Sequence, residues 1–149
     1  MVCWGLPGYG GDCDDVVETL NQQGVVNIKS THGAVYKICS ENKPITMFEF
    51  AALTRKNACV VWGDPEYGGN AGKYAGELEK DISRVYASPS AFAIVKTNGT
   101  IIILGQQSLN GCEDDSRATM IKSLKNIQTT SSGFVAMMRS GRTWFFEEA

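Results

Sequence analysis

Apolar residues in this chain come in short runs separated by polar, glycine-bearing stretches, the pattern of a strand-rich fold. The clearest instance is Ala91 to Val95, then Lys96 to Gly99, then Thr100 to Leu104, which predicts two β-branched strands around an Asn-Gly turn. The same hairpin is predicted for Phe134 to Met138 and Thr143 to Phe146. Further strands are predicted around Ile28, Val85 and Ile127. Helix starts are predicted where acidic residues precede spaced apolar ones: Asp14-Asp15 before Val16, Val17 and Leu20, and Asp114-Asp115-Ser116 before Met120, Ile121 and Leu124.

These elements recur at a fixed interval. Trp62-Gly63, Leu104-Gly105 and Phe146-Glu147 stand 42 residues apart, and Gly69 with Gly111, Val85 with Ile127 and Gly99 with Gly141 keep that step. The opening Trp4-Gly5-Leu6-Pro7-Gly8-Tyr9-Gly10-Gly11-Asp12 matches the segment from Trp62 to Asn70, but at a spacing of 58, which is 16 longer. The surplus lies between Thr31 and Phe50, where Ala34 to Cys39 and Pro44 to Phe48 read as an added β-hairpin. The expected fold is mainly β: tandem antiparallel repeats of about 42 residues, propeller-like or an open array, each with a short helix after its Gly-Gly loop. One domain, 1–149, divides into units at about 4–61 (with the added hairpin at 34–48), 62–103 and 104–146.

Trp4, Trp62, Tyr9 and Tyr67 occupy equivalent places, as a stacked core requires. The order of apolar strand, glycine turn, second strand and Trp-Gly step in Phe50 to Gly63 and Ala91 to Gly105 resembles the regulator-of-chromosome-condensation family and its relatives in large ubiquitin ligases. It is similar also to divergent Trp-Gly and Gly-Gly arrays of protists. The unit is shorter than the usual family repeat, and Trp-Gly gives way to Leu-Gly and then Phe-Glu. No exchange or catalytic residue of the family maps onto these positions, and the resemblance alone does not carry function.

With 149 residues, 43% hydrophobic and 20% charged, the chain can bury a core of its own. A formal net charge of -2 from interspersed signs advertises neither a nucleic-acid face nor a basic membrane face. Apolar runs of four or five residues are too short for a transmembrane helix. No signal-peptide pattern opens the chain, and five cysteines without a C-x-x-C pair predict reduced thiols, in cytoplasm, nucleus or organelle stroma.

Catalytic and ligand motifs are incomplete. Gly68 to Tyr74 departs from the phosphate-loop spacing and has Tyr74 where a magnesium-binding Ser or Thr is required. Asp12, Asp14 and Asp15 lack the remainder of a calcium loop and suit a helix N-terminus. One histidine, His32, cannot complete a zinc set, and with Cys3 or Cys39 it forms no acid, base and nucleophile constellation. The expectation is therefore no enzyme, no cofactor and no metal.

The expected partners are proteins, within a larger assembly. The interaction residues predicted are Trp144, Phe145 and Phe146 on the last strand, and Tyr36, Met47 and Phe48 in the added hairpin. Two further roles are carried: an auxiliary structural subunit of an organellar complex, photosynthetic if the source is a dinoflagellate, and, as the resemblance implies, a regulatory or exchange domain for a small GTPase.

Overall fold

A computed structural model describes residues 13–31, 33–35, 45–47, 49–63, 69–105, 108–109 and 118–147. In chain order, the helix α1 (Asp14–Gln23) precedes β1 (Val25–Ser30), β2 (Gly33–Val35), β3 (Ile45–Met47), β4 (Glu49–Thr54) and β5 (Cys59–Gly63). A 3₁₀ helix (Gly72–Leu78) then leads to β6 (Ile82–Ala87), β7 (Ala91–Lys96), β8 (Ile101–Gly105) and β9 (Ser108–Leu109). The last elements are β10 (Ala118–Ile121), β11 (Leu124–Thr129), β12 (Gly133–Met138) and β13 (Thr143–Glu147). The fold is mainly β.

Three antiparallel sheets share one plan. Sheet 1 is β1-β4-β5; sheet 2 is β6-β7-β8, extended by β10 beside β8; sheet 3 is β11-β12-β13, extended by β9 beside β13. The start points of β4, β7 and β12 are 42 residues apart, as are those of β5, β8 and β13. In each sheet the first strand carries a bulge at its start, at Val26, Ser83 and Lys125. The added hairpin is present as β2 paired antiparallel with β3, Gly33 facing Met47.

The hairpin turns share a geometry that an Asn-Gly pair alone does not specify. Asn57, Gly99 and Gly141 have φ of 57°, 81° and 84°, and their N–H groups donate to the carbonyls of Thr54, Lys96 and Met138. Only this third loop residue is left-handed, so each loop is a type I turn closed by a G1-type bulge, not the two-residue turn Asn98-Gly99 would make by itself. Asn98 instead accepts the Thr100 N–H on its side-chain oxygen at 2.9 Å. The turns also join neighbouring sheets: Ile82 N–H donates to Asn57 O, and Leu124 N–H to Gly99 O, both at 2.8 Å.

Apolar packing stacks the sheets face to face. Between sheets 1 and 2 lie Ala51 and Cys59 from one side and Ile82, Val85, Phe92, Ile94, Ile102 and Leu104 from the other, with Ala71 and Leu78 of the 3₁₀ segment. Between sheets 2 and 3 lie Ala91, Ala93, Ile101 and Ile103 against Leu124, Ile127, Phe134, Ala136, Met138 and Phe146. Sheet 2 is thus buried on both faces, which is why Ala91 to Val95 and Ile101 to Leu104 are continuously apolar rather than alternating.

The helices diverge from a uniform plan. Asp14-Asp15 opens α1 as expected, with Cys13 O accepting from Val16 and Val17 N–H. Gly72 and Gly76 weaken the next helix, which forms as a 3₁₀ segment. In the third unit the helix expected over Met120 and Ile121 is replaced by a strand, β10, because the outer edge of β8 offers unpaired backbone groups and Ala118 to Ile121 satisfy them. The residues around Asp114 lie outside those described.

Equivalent positions at the strand ends hold Thr54, Lys96 and Met138, all buried. Lys96 Nζ donates to the Glu77 carboxylate at 2.7 Å and to the Glu77 carbonyl at 2.9 Å, fastening the 3₁₀ segment to β7. The hydrogen bond from Lys96 and then its charge hold the Glu77 carboxyl below its ordinary value of 4.5. A depressed carboxyl stabilises the fold above its unfolded value and loses that contribution as pH falls through the folded one. Glu77→Gln is therefore expected to lower the melting temperature at neutral pH, with the gap to wild type closing below about pH 4.5; thermal melts across that range check it.

Gly105 tests the pairing of sheet 2. Its φ is 125°, and a Cβ there would lie 2.4 Å from Ser90 O and 2.7 Å from Ala91 Cα. Sheet 3 places the glycine on the opposite strand instead, pairing Gly133 with Glu147. Gly105→Ala is expected to cost more than about 3 kcal/mol, whereas Gly141→Ala, with nothing within 4 Å of the added carbon, should cost only the left-handed backbone penalty of about 1–2 kcal/mol. Denaturant unfolding of both variants separates the two effects.

Candidate interaction surface

Pairing in sheet 3 decides which side chains reach solvent. Phe134 faces Phe146 and Ala136 faces Trp144 across β12 and β13, and these four point toward sheet 2. Val135 faces Phe145 and Met137 faces Thr143, and these four point away. Phe146 is accordingly fully buried and Trp144 half-buried against the core, while Phe145 is 44% and Met137 42% exposed. Of the three aromatic residues expected to dock a partner, one is surface, one is core and one lies between. Met137, missed in the sequence, was legible there by counting in twos from Val135 along β12, on the face opposite Phe134.

The exposed positions have buried counterparts. Forty-two residues earlier, Ala93, Val95 and Ile103 form the face of sheet 2 that packs on sheet 3, and Ile103 is 0% exposed. The outer face of sheet 3 is thus the same face of the same pattern, uncovered.

At the other end, sheet 1 turns Phe50, Ala52, Val60 and Trp62 toward α1, whose Leu20 is buried against them with Cys13. Phe50 and Trp62 stack with ring centroids 5.3 Å apart. Trp62 is buried, as expected, but beneath α1 rather than between two sheets. α1 does not cover the whole face. Ile28, paired with Ala52, is 42% exposed, whereas its counterparts Val85 and Ile127 are 9% and 6% exposed.

The remaining expected residues give less. Met47 ends β3, and Tyr36 and Phe48 lie outside the described residues. A groove of about 470 Å³ runs across the edge strands β1, β6 and β11, with Lys29, Arg84, Tyr86 and Thr129 among its walls. Its cations have no acidic neighbour in the lining.

For chemistry, burial pushes the Cys59 thiol up to about 12, so it is neutral at physiological pH and no nucleophile. Cys13 is disulfide-bonded, so the expectation of uniformly reduced thiols does not hold. His32, Cys3 and Cys39 lie outside the described residues. Among the described residues, no group of three or more His, Cys, Asp and Glu could hold a metal ion, and no helix is long and apolar enough to cross a membrane. No family model matches the chain, and no curated protein matches it.

Trp62→Ala removes a buried aromatic from the contact between α1 and sheet 1 and is expected to cost about 3–5 kcal/mol in denaturant unfolding. A change below about 1 kcal/mol would show that this contact contributes little to stability.

Proposed function

We propose that this chain is a non-enzymatic protein-interaction scaffold, built as a tandem array of β units and acting as a subunit of a larger assembly. The observation that carries the reading is the apolar outer face of sheet 3, where Met137 and Phe145 stand open at positions whose counterparts in sheet 2 are packed. The 42-residue spacing of β4, β7 and β12, of β5, β8 and β13 and of the left-handed turn residues supports a repeat origin, as does a bulge at the start of each sheet's first strand. The face-to-face stacking supports a propeller-like arrangement and agrees with the resemblance to regulator-of-chromosome-condensation repeats. Function rests on the surface and not on that likeness.

Affinity capture from the native source tests the reading, with the wild-type chain and Phe145→Lys as paired baits. A defined protein is expected to be retained by the first and lost from the second, both baits melting alike because Phe145 is exposed. Identical captures would remove this face from the interaction. In parallel, nucleotide release from a panel of small GTPases is expected to stay at its spontaneous rate; acceleration would favour the exchange-factor reading.

A further inference from the structure

The two end faces of the stack are complementary by construction. Among the described residues, both stacked contacts between the three sheets join the α1-side, or front, face of one sheet to the back face of the sheet before it: sheet 2 front on sheet 1 back, then sheet 3 front on sheet 2 back. Among the described residues, the front of sheet 1 and the back of sheet 3 have no sheet packed on them. The front is apolar at the positions that make the internal contacts; the back keeps Val135, Met137 and Phe145 but has Thr143 where sheet 2 has Ile101.

The match holds at the large apolar positions. On the front face, Phe50 and Val60 are half-buried, whereas Phe92 and Ile102, 42 residues later, are fully buried by the sheet packed on them. Ile28 stands open where Val85 and Ile127 are closed. On the back face, Phe145 and Met137 stand open where Ile103 and Val95 pack. α1 is compatible with this contact, since the internal interface also contains its helical counterpart: Ala71 and Leu78 sit between sheets 1 and 2 as Cys13 and Leu20 sit on sheet 1.

We infer that the occupant of the sheet 3 face is a second copy of this chain, which docks the front of its sheet 1 there and repeats the internal sheet-to-sheet contact head to tail. The inference rests on the reading of this face as an interaction surface and names its partner. Front and back are different surfaces, so the contact is heterologous: it leaves a free front and a free back on every pair, and growth ends only if the rotation closes a ring. Burying large apolar side chains at both ends supplies the driving force.

Purified chain alone tests this, independently of what the native extract contains. Light scattering and sedimentation over a concentration series are expected to show species at whole multiples of the chain mass, extending beyond the dimer or stopping at one closed ring. Phe145→Lys disables the back and Ile28→Lys the front; both residues are exposed, and unchanged thermal melts confirm that each variant folds. Each variant by itself is expected to be monomeric, its association weakened at least about tenfold. Mixed in equal amounts they should form a dimer and nothing larger, joined by the intact front of one and the intact back of the other.

A wild-type chain that stays monomeric throughout overturns the inference while leaving capture of a different protein open. A Phe145→Lys monomer beside an Ile28→Lys dimer overturns it in favour of back-to-back pairing. Should either lysine variant melt lower than wild type, Met137→Glu for the back and Val26→Glu beside the front serve in the same mixing experiment, and failure of that mixture to dimerise overturns the inference as well.

Discussion

Apolar contact between stacked sheets holds this structure together, and the rest is arranged to permit it. An isolated three-stranded sheet leaves both faces in water, so each sheet here buries its apolar positions against a neighbour. Sheet 2 solves the problem by being covered on both faces, so its central strands carry Phe92, Ile94, Ile101, Ile102, Ile103 and Leu104 without solvent exposure. The same contact leaves an uncovered remainder at each end of the stack, because a face that buries its neighbour needs a neighbour in turn.

Backbone geometry sets the alignment that this packing requires. The bulges that begin β1, β6 and β11 and the left-handed residue in each hairpin turn fix strand register, and a register slip by one residue would exchange core and surface faces. Because Ile82 and Leu124 donate to the turn carbonyls of the preceding sheet, each turn also fixes where the next sheet begins. Between sheets 2 and 3 the chain adds two short strands, β9 beside β13 and β10 beside β8, so one connecting segment pairs with both sheets. That lacing covers backbone edges, and it leaves the apolar end faces as the surfaces open to association.

In the proposed scaffold reading, those end faces supply the physical basis for association. An apolar face with a pattern already satisfied twice inside the same molecule has a built-in preference for a matching surface, since shape and side-chain spacing are those of an existing interface. The groove across β1, β6 and β11 mixes Lys29 and Arg84 with Val26, Leu53 and Val85, so its floor is shared with the core between sheets 1 and 2.

The sequence by itself determined the strands, their hairpins, the 42-residue interval and the added hairpin, because these depend on local apolar runs and turn residues. It also placed α1 at Asp14-Asp15, where acidic residues and spaced valines act within one helical turn. Tertiary structure decided what local patterns could not. Phe145 and Phe146 are chemically alike, and only pairing with Val135 and Phe134 sends one to solvent and the other to the core. Met120 and Ile121 carry helical spacing, yet the open edge of β8 recruits them as a strand. Lys96 is buried where its counterparts are Thr54 and Met138, because the Glu77 carboxylate and carbonyl meet it there. In each case an interaction between segments distant in sequence outweighed the local preference.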